Sequence, residues 1–128
     1  MIVLAIDTAT PQVGVALRGD DGPIGSFHAS QGRRHGEVLA PAIQELCCHT
    51  GVALADVGLV AVDVGPGLFT GLRVGLATAK ALAAALSLPA LGITSPEVLA
   101  RPHRRAGAAV AAVVDVRRGE VAWALYAA

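Results

Sequence analysis

Four aromatic side chains are all the sequence offers: one Trp, one Tyr and two Phe, 3% of 128 residues. A chain so short of flat stacking surfaces is a poor platform for single-stranded nucleic acid. Charge is scarce too, at 16% of residues, and the 10 basic and 10 acidic side chains cancel. With no global field to gather phosphate, any RNA is expected to be held through a partner. Cysteine is limited to the adjacent Cys47 and Cys48. Neighbouring cysteines rarely pair and lack zinc-site spacing, so they read as reduced structural thiols in a cytoplasmic chain. No segment combines the length of a membrane span with freedom from charge. The most apolar helix, expected from Gly71 to Leu88, carries Arg73 and Lys80. The first residues already read as a strand, so no signal peptide is expected.

What the chain has is apolar mass, 54% of residues. That is ample for one core and leaves a surplus that points to a buried subunit interface. Ile2–Asp7 is a β-branched run ending in an acid, and 13–18 resumes as a strand after a short link. Gly19-Asp20-Asp21-Gly22 is a turn, and 23–29 returns as an edge strand. After a loop over 32–36, a helix is expected from Glu37 to His49, with an apolar stripe of Val38, Leu39, Ala42, Ile43, Leu46 and Cys47 stopped by Gly51. Val57–Val64 reads as a central strand covered on both faces, and 89–93 as a shorter one. Ser95 is expected to cap a short helix starting at Pro96. Residues 101–107 read as a solvated basic linker, with tRNA contact as the alternative. A hairpin follows over 108–116 and 120–127, holding Trp123 and Tyr126.

The layout of the start is echoed near the end. VLAID-TATPQ-VGVAL (3–17) and AAVVD-VRRGE-VAWAL (111–125) share an apolar run ending in Asp, five residues, then an alternating strand. This points to a duplicated fold with Asp7 and Asp115 in equivalent places. Carboxylates at such strand ends, with Thr8 beside the first, can hold magnesium or water in a nucleotide site. They can equally cap turns through local hydrogen bonds.

The stretch DVGPGLFTGLRVGLATAKALAAAL (63–86) raises the same double question. Gly65-Pro66-Gly67 between a strand and a helix can aim backbone amides at an anion, or can serve turn geometry alone. No Gly-Lys-Ser/Thr follows, so it is not a P-loop, and Thr70 stands where a dinucleotide fingerprint needs its third glycine. Gly71, Gly75, Ala79 and Ala83 recur every four residues and form a ridge without bulk. Gly75 costs about 1 kcal/mol against alanine in a helix interior, so close packing is the expected offset. Spacing does not say whether the neighbour lies in this chain or in another subunit.

Three segments carry a resemblance. MIVLAIDTATPQVGVAL, RRHGEVLAPAI and above all GPGLFTGLRVGLATAKALA resemble the N-terminal half of the bacterial TsaB (YeaZ) family, from Met1 to about Glu97 and more weakly beyond. Two departures are modest: Leu68 where the family usually has serine, and His35-Gly36-Glu37 for His-Ser-Glu. The resemblance implies an α/β actin-like, Hsp70-like ATPase (ribonuclease H-like) lobe, with a mixed five-stranded sheet over residues 1–107. The first hairpin of a second such lobe would occupy 108–128. It implies a non-catalytic scaffold or activator that supports threonylcarbamoyl transfer to adenosine 37 of tRNA by the paralogue TsaD. The paralogue carries a His-x-x-x-His metal pair where Ser95 and Leu99 stand here, and neither residue replaces imidazole. So no catalytic or metal-binding residue is expected.

By the same resemblance, Asp7, Thr8, Gly65, Pro66, Gly67 and Asp115 are the nucleotide-like loop positions. His35, Glu37, Leu39, Ile43, Gly71, Gly75, Ala79 and Ala83 are expected at the subunit interface. The partners implied are a second copy, TsaD, the ATPase subunit TsaE, and tRNA through them. No cofactor is expected to bind tightly without a second lobe to close the cleft; ATP and magnesium belong to the complex. The competing readings are a metal-dependent peptidase or carbamoyltransferase-like enzyme, and a small-molecule kinase lobe of the same superfold.

Overall fold

The computed structural model describes residues 1–30, 34–104 and 108–127. Strands β1 (Ile2–Asp7), β2 (Gln12–Gly19) and β3 (Gly22–Ser30) form an antiparallel meander. Helix α1 (His35–Thr50) leads to β4 (Val57–Asp63), and α2 (Phe69–Leu86) leads to β5 (Ala90–Ile93). The sheet runs β3-β2-β1-β4-β5, with β4 parallel to β1 and β5 parallel to β4. After α3 (Ser95–Ala100), β6 (Val110–Arg117) and β7 (Glu120–Tyr126) pair as a separate two-stranded sheet. The α/β class, the mixed five-stranded sheet and the final hairpin are those expected.

The core lies between one sheet face and the helices. Leu4, Ile6, Val13, Val15, Leu17, Val60 and Val62 meet Leu39, Ala42, Ile43 and Leu46 of α1 and Ala79 of α2. This corrects the interface assignment of Leu39 and Ile43. They belong to the single apolar stripe of α1, and the sheet of this chain consumes that stripe.

The helix ends moved for identifiable reasons. α1 begins at His35, so His35 and Gly36 are helical rather than loop; Gly32 and Arg33 lie outside the described residues, as do residues 105–107 of the linker. Gly51 ends α1 in the left-handed region, at φ 70°. α2 starts two residues early, at Phe69, and stops at Leu86. There Ser87 turns left-handed and the Leu88 N–H reaches back to the Ala83 carbonyl at 2.8 Å. The capping role expected of Ser95 falls to Thr94, whose side chain accepts from the Glu97 N–H.

The small-residue ridge of α2 faces this chain. Gly71, Gly75, Ala79 and Ala83 are its buried residues. A Cβ on Gly75 would collide with Thr8 Oγ1 and lie 3.7 Å from Ile6 Cγ2, and one on Gly71 would collide with the Thr8 carbonyl. The neighbour is therefore the end of β1, not another subunit. By length and mean hydropathy α2 also reaches the requirement of a membrane span, contrary to expectation. In this fold it packs one face on the sheet and turns Arg73 and Lys80 outward.

The echo between 3–17 and 111–125 holds in sequence but not in register. Asp7 pairs with Gly14, whereas Asp115 pairs with Val121, one position short of the equivalent partner. Arg117 and Arg118, both at positive φ, take up the difference in a bulged turn. Because side chains alternate, a slip of one residue changes which side chains share a face. Val121, Trp123 and Leu125 thus join Val113 on the exposed side of the hairpin, with Trp123 at 67% exposure. The opposite side lies against α3, where Arg104 reaches Glu97 at 3.3 Å and lies over the Tyr126 ring.

The Gly75–Thr8 contact yields a stability prediction. Gly75→Ala, which improves helix propensity, is expected to lower the unfolding free energy by about 1–3 kcal/mol through overpacking. Ala81→Gly on the exposed side is expected to cost only about 1 kcal/mol. Urea titrations of the two variants check this, and a Gly75→Ala protein as stable as the parent would refute the packing account.

Candidate functional site

β1 and β4 are parallel neighbours, so their carboxyl ends, Asp7 and Asp63, arrive at the same edge of the sheet. Ligand clefts of open α/β sheets form at that edge. Here a cavity of about 750 Å³ opens between the sheet edge and the β6–β7 hairpin. β1 and β4 give their last residues, Asp7 and Asp63, the β1–β2 loop gives Thr10, the turn after β4 gives Pro66, Gly67 and Leu68, and α3 gives Ser95, Val98 and Leu99. The hairpin completes the wall with Val113, Val114, Asp115, Arg117 and Arg118. One half is apolar, and the other sets carboxylates against guanidinium groups.

Of the residues expected here, Asp7, Pro66, Gly67 and Asp115 line the cavity and Gly65 and Thr8 do not. Gly65 shapes the turn from behind, at φ 95°, in the region that favours glycine. Its carbonyl accepts from the Ser95 N–H at 2.9 Å. Thr8 has no exposed surface; its hydroxyl donates to the Gly71 carbonyl at 2.7 Å. It anchors α2 rather than touching a ligand. The two aspartates on the wall also take up local bonds: Asp7 Oδ1 accepts from the Ala9 N–H at 3.0 Å and Asp115 Oδ1 from the Arg117 N–H at 2.7 Å. The turn-capping reading is therefore realised, and it coexists with a place on the cavity wall.

Asp63 is the residue the sequence reading passed over. It is 5% exposed, and its Oδ1 accepts from both the Gly65 N–H and the Ser95 hydroxyl, each at 2.7 Å. Burial pushes its carboxyl above the ordinary aspartate value and the Asp7 charge adds to this, while the two hydrogen bonds pull the other way. The available signal was a lone acid closing the most apolar strand, as Asp7 closes β1.

His35 is also relocated. Expected on an interface, it is 3% exposed, and its Nε2 lies 2.7 Å from the Thr10 carbonyl. Starting α1 two residues earlier turns the ring inward. Glu37 does stay on the surface, paired with Arg34 at 2.6 Å.

A pH prediction comes from Asp63. With a folded-state pKa raised above 3.8, its contribution to stability is fully present below that value and is lost as pH rises through the raised one. Asp63→Asn keeps an oxygen for Gly65 and Ser95 but cannot ionise. Its melting temperature is expected to exceed the parent's at pH 7, with the gap closing toward pH 4. Melts across that range check this, and a constant or reversed gap would remove the burial argument.

Comparison with known proteins can now be set beside this geometry. The family described as TsaD, tRNA N6-adenosine threonylcarbamoyltransferase, matches residues 25–128. The "tRNA threonylcarbamoyladenosine biosynthesis protein TsaB" of Escherichia coli (strain K12) is 38% identical over 128 residues, covering 98% of this chain and 55% of its own length. The protein of the same name from Bacillus subtilis (strain 168) is 34% identical over 126 residues, with 98% and 55% covered. Among solved structures, YeaZ from Pseudomonas aeruginosa superposes with a TM-score of 0.90 at 34% identity, over 99% of this chain and 60% of that one. The chain thus spans little more than half the length of these relatives, and its fold is that of an actin-like, ribonuclease H-like lobe with an added hairpin. On this match the chain belongs to the TsaD family of tRNA N6-adenosine threonylcarbamoyltransferase proteins, and within it to the TsaB (YeaZ) group.

Proposed function

We propose that the chain serves tRNA threonylcarbamoyladenosine biosynthesis as a non-catalytic subunit. It would support threonylcarbamoyl transfer to adenosine 37 by pairing with the catalytic paralogue TsaD. In this reading residues 1–107 are one lobe and 108–128 open a second. The observation that carries it is on α3: Ser95 is bonded to Asp63 and Leu99 is half exposed on the cavity wall. Neither side chain offers the nitrogen ligand a catalytic metal needs there. The name shared by the E. coli and B. subtilis relatives supports the pathway.

The pairing surface in this reading is the outer side of α1 and α2, not the ridge. Phe69 is 73% exposed, and Arg73 lies over its ring at 5.3 Å from the centroid. Exposed Ala77, Ala81 and Ala84 continue the face along α2, and Glu37 extends it onto α1. A rigid aromatic stacked with an arginine, flanked by small side chains, has the composition of an interface anchor. The same face would serve a second copy or TsaD, with TsaE and tRNA joining through the assembly. The cavity chemistry fits magnesium-bound ATP in such a complex. Asp7 and Asp115 would hold the cation, Arg117 and Arg118 would meet phosphate, and the metal would screen phosphate from the carboxylates.

Mixing tests this. The purified chain and TsaD are expected to co-sediment and to yield modified adenosine together with the rest of the machinery, while the chain without TsaD yields none. Phe69→Ala is expected to weaken association about 10- to 30-fold without lowering the melting temperature. Modified adenosine formed without TsaD would overturn the non-catalytic reading, and undiminished association of Phe69→Ala would move the interface elsewhere.

A further inference from the structure

The cavity wall formed by the β1–β2 loop is not self-supporting. Thr10 and Pro11 line the cavity, yet the loop's own side-chain bonds are short-range, from the Ala9 N–H to Asp7 and from the Gln12 N–H to Thr10. Its long-range ties come from the two helices behind it. α2 and the turn that leads into it contribute one each: Thr8 Oγ1 donates to the Gly71 carbonyl, and the Leu68 N–H donates to the Ala9 carbonyl at 2.7 Å. α1 contributes one, through the buried ring of His35 on the Thr10 carbonyl. That carbonyl only accepts, so Nε2 carries the proton. A Cβ at Gly71 would stand 3.3 Å from Nε2, so the glycine also leaves room for the ring.

We infer that His35 is a positioning residue that fixes the cavity-facing loop to the first turn of α1. It touches no ligand in this arrangement. It sets where the Thr10 wall stands relative to the Arg117–Arg118 turn opposite. The outer side of the same helical turn carries the exposed Arg34–Glu37 pair. Engagement of that outer side by TsaD would therefore act on the cavity through one part-buried hydrogen bond, a consequence that rests on the pairing proposed above.

Amide hydrogen exchange on the full chain tests the assignment, in the parent, His35→Ala and His35→Gln, alone and with saturating TsaD. Losing this part-buried hydrogen bond is expected to speed exchange at Ala9, Gln12 and Leu68 about tenfold in His35→Ala, with β4 amides changing less than about twofold. His35→Gln, which keeps an N–H donor, is expected to restore most of the protection. TsaD is expected to slow the loop amides in the parent and not in His35→Ala. Exchange rising equally in β4 and the loop, or no rescue by glutamine, would reduce His35 to a general core residue and overturn the inference. So would a complex that forms, by sedimentation, with loop exchange unchanged. If sedimentation shows no complex, the pairing reading fails by itself and the free-chain comparison still decides the role of His35.

Discussion

The placement of α2 rests on a close approach between a strand end and a helix: the backbone and hydroxyl of Thr8 against Gly71 and Gly75 of α2. Neither glycine is favoured by helix propensity. Each is required because any side chain would push α2 off the end of β1. Seating α2 there fixes its first residue, hence the turn Gly65–Leu68, hence one wall of the cavity. The same contact buries Thr8 and so takes it out of the set of residues a ligand can reach. A polar residue beside a catalytic-looking aspartate is here the bolt that holds the helix.

The electrostatics of the cavity depend on that seating. Parallel pairing of β1 and β4 brings two aspartates together at one edge, which neither would tolerate fully charged and buried. The structure resolves the conflict by environment. Both aspartates line the cavity, but Asp63 is buried and tied to the Gly65 amide and the Ser95 hydroxyl, while Asp7 is the more open of the two. The α3 helix thus has a structural reason to present serine at this position. The hydroxyl satisfies a buried carboxylate, and a bulkier imidazole would have to find another place for that charge.

Much of this was legible in the residues. The alternation of β2, the apolar run of β4 and the stripe of α1 each named their element, and the hairpin echo located β6 and β7. What was not legible has a common cause: it concerns which surface meets which. Spacing of four announces a helix face that something approaches closely, but it carries no information about the chain that approaches. Asp63 ends a strand without any periodic signature, and its importance arises only when parallel pairing sets it beside Asp7, far away in sequence. The register slip in the second hairpin is invisible for the same reason. Two segments with five residues between apolar runs look alike until the positive φ of Arg117 and Arg118 shows that one loop bulges where the other does not.

The two faces of α2 then explain why the ridge invited misreading. The helix has small residues on two sides, with Gly71, Gly75, Ala79 and Ala83 inward and Ala77, Ala81 and Ala84 outward. Inward, the absence of any side chain at Gly71 and Gly75 is forced by Thr8. Outward, Ala77, Ala81 and Ala84 stand exposed among Phe69 and the charged Arg73 and Lys80. A helix needed only as a lid over the sheet would carry more charge along that side than Arg73 and Lys80 supply, since charged residues cost little there and keep the surface wetted. The outward alanines are therefore the part of the small-residue pattern that the fold leaves unexplained, and so the part on which an interface argument properly rests.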